Sequence, residues 1–593
     1  MKSKTTALWF VLAVALATAI WLLNTYFLHA PAGPKPILPG LRTEDVTRID
    51  IVPGGGKEFS LVLTNGDWML DRPFQYPAQT EAVNALLAAL KGLKPVVTLS
   101  AGELNSQKNA EAGLGFDNPQ FTVDLTAGSQ TWHLRVGNKT APGDGIYVRL
   151  LGAADAAVTD TAWLKLLKPA AEDWRDTTLV DVPEAVDWLV ITNGSQAIEL
   201  RRGVTNRLWR MVSPLQARAD NLLIVSALEK LRGARVSRFV SDDPKANLAA
   251  YGLAPATLDV WLGDGTNLLT ALHGGKDVSD SPSEMYARRQ GWNTVVTTAK
   301  DGLAPWLGAV NDFRDRNLFE VSGPVAEIEV TGAFPFTLQQ RASNAWTVVG
   351  EKFPVDPVQV NGFIHLLANL RIAHFIQDAP TASGLQAYGL ANPTNQIIVR
   401  SAIGDSNSVI ARLQFGVTGT NNEVFAKRAD EDFVYSVALA DLNNLPLRAD
   451  FFRDRQIWNF SETNVAQVTL REAGKVRQLI RTGTNEWSLA PGSQGIINPP
   501  AIEETIHRLG KLEVAGWLGR NVTPQDIGLT TNGLSIAIEL KSGDKYTLDF
   551  GAEVRAQTAL AAVTLDGERW AFVFPPVLFP LVAENLTIPP KDP

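Results

Sequence analysis

Four tryptophans, Trp68, Trp209, Trp346 and Trp487, stand in the related phrases NGDWML, TNRLWRMV, ASNAWTVV and GTNEWSLA. They recur at a near-constant interval of about 140 residues, and each interval then has to be one structural unit. No other feature constrains the fold as strongly. Two further series keep the same beat. One is Gly115, Gly252, Gly389 and Gly528, in LGFDNP, YGLAP, YGLANP and IGLTTNG. The other is Tyr147, Tyr286 and Phe425, in IYVR, MYARR and VFAKR.

A helix recurs at a fixed offset from each tryptophan. Val83, Leu86, Leu87 and Leu90 have the i, i+3, i+4, i+7 spacing of an apolar helical stripe. Ile224, Ala227, Leu228 and Leu231 repeat it, followed by Val360, Phe363, Ile364 and Leu367, then Ile502, Thr505, Ile506 and Leu509. Around it lie strand patterns: VTRIDIV, DWLVIT, AEIEV and AQVTL open the units, and FTVDL, TLDVWL, QIIVR and LSIAIEL follow the glycine phrase. The expectation is an α+β fold of four tandem repeats of about 135–140 residues, each a largely antiparallel sheet with one main amphipathic helix. The boundaries read as 44–180, 181–321, 322–460 and 461–593, the last repeat divergent. The four tryptophans are expected to anchor the cores, since one indole buries a large apolar area.

Ahead of the repeats, Leu8 to Leu28 is an uninterrupted uncharged run behind Lys2 and Lys4. At a rise of about 1.5 Å per residue that run spans a hydrocarbon core of about 30 Å. Residues 1–30 therefore read as a cytoplasmic tip and transmembrane anchor, with the bulk of the chain outside the cytoplasm. A cleaved signal peptide is the competing reading, on the small residues around Ala30 and Ala32. Residues 31–43, rich in proline, read as a stiff spacer.

Composition removes several functions. Cysteine is absent, which excludes disulfides, thiolate nucleophiles and Cys-ligated metals. A net charge of −8 over 593 residues gives no electrostatic footprint for nucleic acid. None of the six histidines, His29, His133, His273, His365, His374 and His507, has a metal-binding spacing. No nucleophile elbow or phosphate loop is present, and the adjacent carboxylates Asp242–Asp243 and Glu503–Glu504 read as surface charge. No catalytic, cofactor-binding or metal-binding residue is therefore assigned. Trp261, Trp292, Trp306, Trp458 and Trp517 read mostly as core, with a carbohydrate or peptide groove as the alternative.

One charged motif does repeat. FRDR occurs at Phe313–Arg316 and Phe452–Arg455, and WRD at Trp174–Asp176. Arg175–Asp176, Arg314–Asp315 and Arg453–Asp454 thus recur on the same period as the tryptophans. Three marks serve three junctions, and none closes the last repeat. A guanidinium fork satisfies carbonyls or a carboxylate where chain leaves one unit for the next, so these pairs read as inter-repeat joints. An Arg holding an anionic partner at each junction is the functional alternative.

The Trp–Pro pairs Trp68/Pro73, Trp209/Pro214 and Trp346/Pro354, the helix, YGL-x-P, Tyr-Val-Arg and Arg-Asp together resemble the bacterial domain-of-unknown-function family 4340 (DUF4340). The fourth repeat departs from that pattern: IGLTTNG lacks the Tyr, and LAAVTLDG (Leu560–Gly567) replaces Tyr-Val-Arg. The resemblance implies a single-pass inner-membrane protein with a periplasmic bulk, acting beside transporter-like membrane components, and supplies no active site. The expected function is binding or scaffolding in an envelope complex. An envelope glycan- or polymer-binding protein and an undetected hydrolase stay open.

Overall fold

The computed structural model describes residues 3–22, 35–106, 109–320, 323–393, 395–401, 408–520, 522–555 and 558–587. Alternation in the strand segments is realised as one buried and one open face. Arg48–Pro53, Trp188–Asn193, Val325–Thr331 and Val465–Glu472 each turn every second or third residue into a core. Each of these strands lies near the middle of its own sheet, and there are four such sheets, antiparallel throughout.

The order of strands is the same in all four. In sheet I it runs Tyr76–Pro77, Asp67–Arg72, Phe59–Thr64, Arg48–Pro53, Phe121–Ala127, Gln130–Lys139, Gly145–Leu150, Ala156–Asp160 and Val97–Leu99. The chain thus meanders to one edge, crosses by the helix Thr80–Lys91 to the opposite edge, and fills the remaining strands from the middle outward. Sheet II repeats this with nine strands around Asn221–Gly233, and sheets III and IV with eight around Pro357–Ala368 and Pro499–Leu509. The expected stripes are the buried faces of these helices, with one difference: Ile364 is only half-buried, leaving Val360, Phe363 and Leu367 to pack the third core. The chain divides into two compact units, Met1–Asp315 with sheets I and II and Arg316–Pro593 with sheets III and IV.

The periodic glycine is required by backbone geometry. Gly115, Gly252, Gly389 and Gly528 all adopt positive φ, between 67° and 81°, which costs a residue with a Cβ steric strain. A second series, Gly137, Gly275, Gly416 and Gly551, lies beneath those turns. A Cβ there would stand about 2 Å from the carbonyl oxygens of Leu114, Tyr251, Tyr388 and Ile527. Each turn therefore lies directly on a strand, and a side chain on either surface would part them.

The proline-rich segment differs from a free spacer. Ile37 N–H donates to Leu93 O at 3.0 Å, Trp132 Nε1 donates to Pro39 O at 3.2 Å, and Leu38 and Leu41 are buried in the first core. Leu38 and Leu41 supply the apolar area that the prolines around them obscure, and from Lys35 onward the segment is part of repeat one. Residues 31–34 lie outside the described residues.

The first helix is Ser3–Leu22, twenty residues, and its side chains from Trp9 to Leu22 are exposed. Among the described residues no helix is long and apolar enough to cross a membrane. The expected span Leu8–Leu28 coincides with this helix only as far as Leu22, because residues 23–34 lie outside the described ones.

Candidate functional site

The Arg-Asp motifs sit on a short extended strap between one repeat and the next. Arg175, Arg314 and Arg453 form isolated antiparallel bridges with Ala78, Ala219 and Val355, just before each repeat's main helix. The bonds are the same each time. Asp176, Asp315 and Asp454 donate their N–H to the carbonyls of Pro77, Arg218 and Pro354, and the carbonyls of Trp174, Phe313 and Phe452 accept from the N–H groups of Gln79, Asp220 and Asp356. Those three donors are the N-caps of the main helices, and the Asp220 and Asp356 side chains accept in turn from Leu223 and Val358 N–H. The strap thereby fixes where the helix begins.

Three residues later the chain pairs with the following sheet. Thr178 bridges Arg235, Asn317 bridges Arg371 and Gln456 bridges Glu513, each shortly before an edge strand. The Asp side chain makes that turn: Asp176 Oδ1 accepts from Thr178 N–H at 2.9 Å, and Asp454 Oδ1 from Gln456 N–H at 3.0 Å. At the middle motif, Asp315 is ion-paired with Arg218, both side chains largely buried. Leu179, Leu318 and Ile457 then donate N–H to the carbonyls of Ala234, Leu370 and Leu512, just past the next main helix. The residue after each of them fills a core: Val180, Phe319 and Trp458 are all at most 2% exposed. Leu38, at 1%, does the same for repeat one, where Ile37 takes the strap position. The expected boundaries at 180, 321 and 460 thus fall after the chain has already joined the next sheet.

The arginines are among the most buried charges in the molecule, Arg175 at 2%, Arg314 at 1% and Arg453 at 5% exposure. Arg175 lies 3.5 Å from the ring centre of Phe74 and 4.4 Å from that of Phe239, and its two terminal nitrogens donate to Asp242 at 3.1 and 2.6 Å. Thr294 donates to the same carboxylate at 2.8 Å. Arg453 lies 4.1 Å from Trp570, 5.2 Å from Trp517 and 5.5 Å from Phe353, with Asp566 at 3.7 Å. Burial among these rings pulls its guanidinium below the ordinary arginine range, partly offset by Asp566 and Glu568. Arg314 Nη1 donates to Asn311 Oδ1 at 3.1 Å. Phe74 and Phe239 come from repeats one and two, and Phe353 and Trp517 from repeats three and four. The Arg175 and Arg453 cages are therefore each built by both sides of a junction.

Sequence reasoning missed these cages because their walls come from different positions of two repeats. A signal existed: Phe239 and Trp517 stand at the same distance after their own repeats' tryptophans, Trp209 and Trp487. Asp242, read as surface charge, is the partner of Arg175. Glu503 likewise faces Arg481 rather than solvent. Trp68, Trp209, Trp346 and Trp487 are all buried. Of the remaining tryptophans, Trp306, Trp458 and Trp517 are buried, and Trp261 and Trp292 are half-buried without forming a common groove.

The histidines are dispersed. His133, His273, His374 and His507 each face one carboxylate, Asp124, Asp259, Glu423 and Glu462 respectively, at 2.5–3.0 Å. His29 lies outside the described residues, and among the described residues no group of three or more His, Asp or Glu converges as a metal site. Arg175 and Arg453, by contrast, are enclosed in their cages, at 2% and 5% exposure.

Comparison with known families gives one match. The family described as a domain of unknown function (DUF4340) matches residues 68–206, 209–351 and 346–532. The three matches begin at Trp68, Trp209 and Trp346, so the family's unit follows the period read from the tryptophans. No curated protein matches the chain.

Proposed function

The chain belongs to the DUF4340 family, and on that premise we propose a membrane-anchored, extracytoplasmic scaffold that binds partners in an envelope complex, as an accessory to a transporter-like assembly. The observation that carries this reading is the repeated joint. A cation buried between repeats one and two, and another between repeats three and four, hold each pair in fixed register, which suits a surface that presents neighbouring repeats to a partner. The anchor rests on the first helix. Its Trp9, Phe10 and Trp21 are 62–71% exposed. Lipid is the solvent that suits such a helix, and Leu23, Tyr26, Phe27 and Leu28 extend the apolar run beyond it.

Mild solubilisation of native membranes followed by affinity capture of the full chain tests both parts. The expected result is recovery from the membrane fraction with membrane-protein partners, both lost when residues 8–28 are deleted. Recovery of the full chain from the soluble fraction without partners would overturn the proposal.

A further inference from the structure

Repeats two and four place an arginine opposite the hairpin tryptophan, at the same register. Arg202 pairs across strands with Trp209, and Arg481 with Trp487, whereas Leu63 and Gln340 face Trp68 and Trp346. In repeat four this arginine is closed in. Its terminal nitrogen donates to both oxygens of Glu503 at 3.1 and 2.8 Å, and Trp487 Nε1 donates to Glu503 Oε2 at 2.9 Å. One carboxylate thus satisfies an arginine and an indole stacked together, with the guanidinium 4.5 Å from the ring centre.

Repeat two has the donors without that acceptor. Glu503 directly follows Ile502, the first buried residue of its helix, and the residue directly following the matching Ile224 is Val225. Arg202 keeps one bond, from Nε to Arg207 O at 2.9 Å. No acceptor among the described residues meets its terminal nitrogens or the Trp209 indole N–H, and none of these atoms is shut off from water. Both residues line a groove of about 310 Å³ whose apolar floor includes Val186, Val225 and Leu228. Arg207 and Arg232 add positive charge at its rim against Glu184 and Glu229. These donors face the water of the open groove, and a carboxylate entering here takes from them the paired, charge-assisted hydrogen bonds that Glu503 takes in repeat four.

We propose that this groove binds the carboxylate of an amphipathic ligand, its two oxygens on Arg202 and Trp209 and its apolar part on Val186, Val225 and Leu228. The site belongs to repeat two alone and does not depend on the anchor or the scaffold reading. A free aliphatic acid and an acidic side chain flanked by apolar residues on a polypeptide share this chemistry.

The test uses the full-length protein labelled with nitrogen-15 at tryptophan, with the Trp209 indole signal assigned by its loss in Trp209→Phe. Hexanoate and the peptide acetyl-Leu-Glu-Leu-amide are the probes; hexanamide and the corresponding Gln peptide are the neutral controls. The indole signal should shift saturably with a carboxylate and not with its neutral counterpart. The stronger of the two carboxylate responses identifies the source. Arg202→Gln should weaken the response at least tenfold. Val225→Glu, which installs the acceptor of repeat four, should shift the indole signal without ligand and abolish the response to both probes. A neutral control that shifts the signal as much as its acid, a Val225→Glu protein that still responds, or no response of the wild type to either acid would each overturn the proposal.

Discussion

Arg175 and Arg453 hold the same place in their repeats and reach it along the same backbone strap, yet different chemistry surrounds them. Arg175 has three rings within 5.6 Å, Phe74, Tyr76 and Phe239, and a two-pronged ion pair with Asp242. Arg453 has three rings around it, and its nearest carboxylate is Asp566, at 3.7 Å and largely exposed. What the two junctions share is main-chain pairing, the Asp turn and a cation over aromatic faces. What differs is whether a carboxylate neutralises that cation. The contrast teaches that the strap sets the joint's position and the neighbouring repeat sets its chemistry.

The largest effect should come from the part both junctions share. Trp458 seats the strap of repeat four, and Trp458→Ala should cost about 3–5 kcal/mol, with Leu38→Ala in the strap of repeat one costing about 2–3 kcal/mol. Chemical unfolding of the full chain measures both; a cost below about 1 kcal/mol for Leu38→Ala would return residues 35–42 to the status of a spacer.

Next comes the ionic joint. Asp242→Ala leaves Arg175 buried without its carboxylate and should lower stability by about 3 kcal/mol, the low end for a broken buried pair because Asp242 is about one-third exposed. The aromatic joint should respond in the other direction. Arg453→Met removes a desolvated cation and keeps the packing volume, so it should change stability by less than about 1 kcal/mol or raise it. A loss as large as that of Asp242→Ala would show that the rings and Asp566 hold Arg453 as firmly as the ion pair holds Arg175.

The smallest effect is electrostatic and lies outside the joints. A hydrogen bond from His507, at 3.0 Å, and one from its own backbone hold the Glu462 carboxyl below its ordinary 4.5. A depressed carboxyl stabilises the fold above its unfolded value, and that stability is lost as pH falls through the folded value. Stability of the second unit should therefore fall by about 0.5 kcal/mol below about pH 4.5. His507→Ala should flatten this slope in a pH series of thermal unfolding.

The repeat and its helix were legible because their information is local. Val83 to Leu90 lie within a few turns of one helix, and the tryptophans and glycines each mark one point per unit. Strand order was not legible, since Arg48–Pro53 pairs with Phe121–Ala127 across a long stretch of intervening chain and nothing in either segment specifies that partner. The straps were half legible. Arg-Asp announced them at three junctions by its spacing, whereas at the first the same path is taken by Ile37–Leu41, hidden among prolines and lacking the motif. The groove of repeat two was invisible for a related reason: it depends on Val225 standing where repeat four has Glu503, and that substitution has meaning only once both helices lie over their tryptophans.

A double-mutant cycle on Arg175→Met and Asp242→Asn, with Arg453→Met and Asp566→Asn as its counterpart, measures the contrast between the joints directly by urea unfolding of the full chain. The account predicts a coupling of about 2 kcal/mol or more for Arg175 with Asp242 and less than about 0.5 kcal/mol for Arg453 with Asp566. Equal couplings at the two junctions, or none at the first, would contradict it.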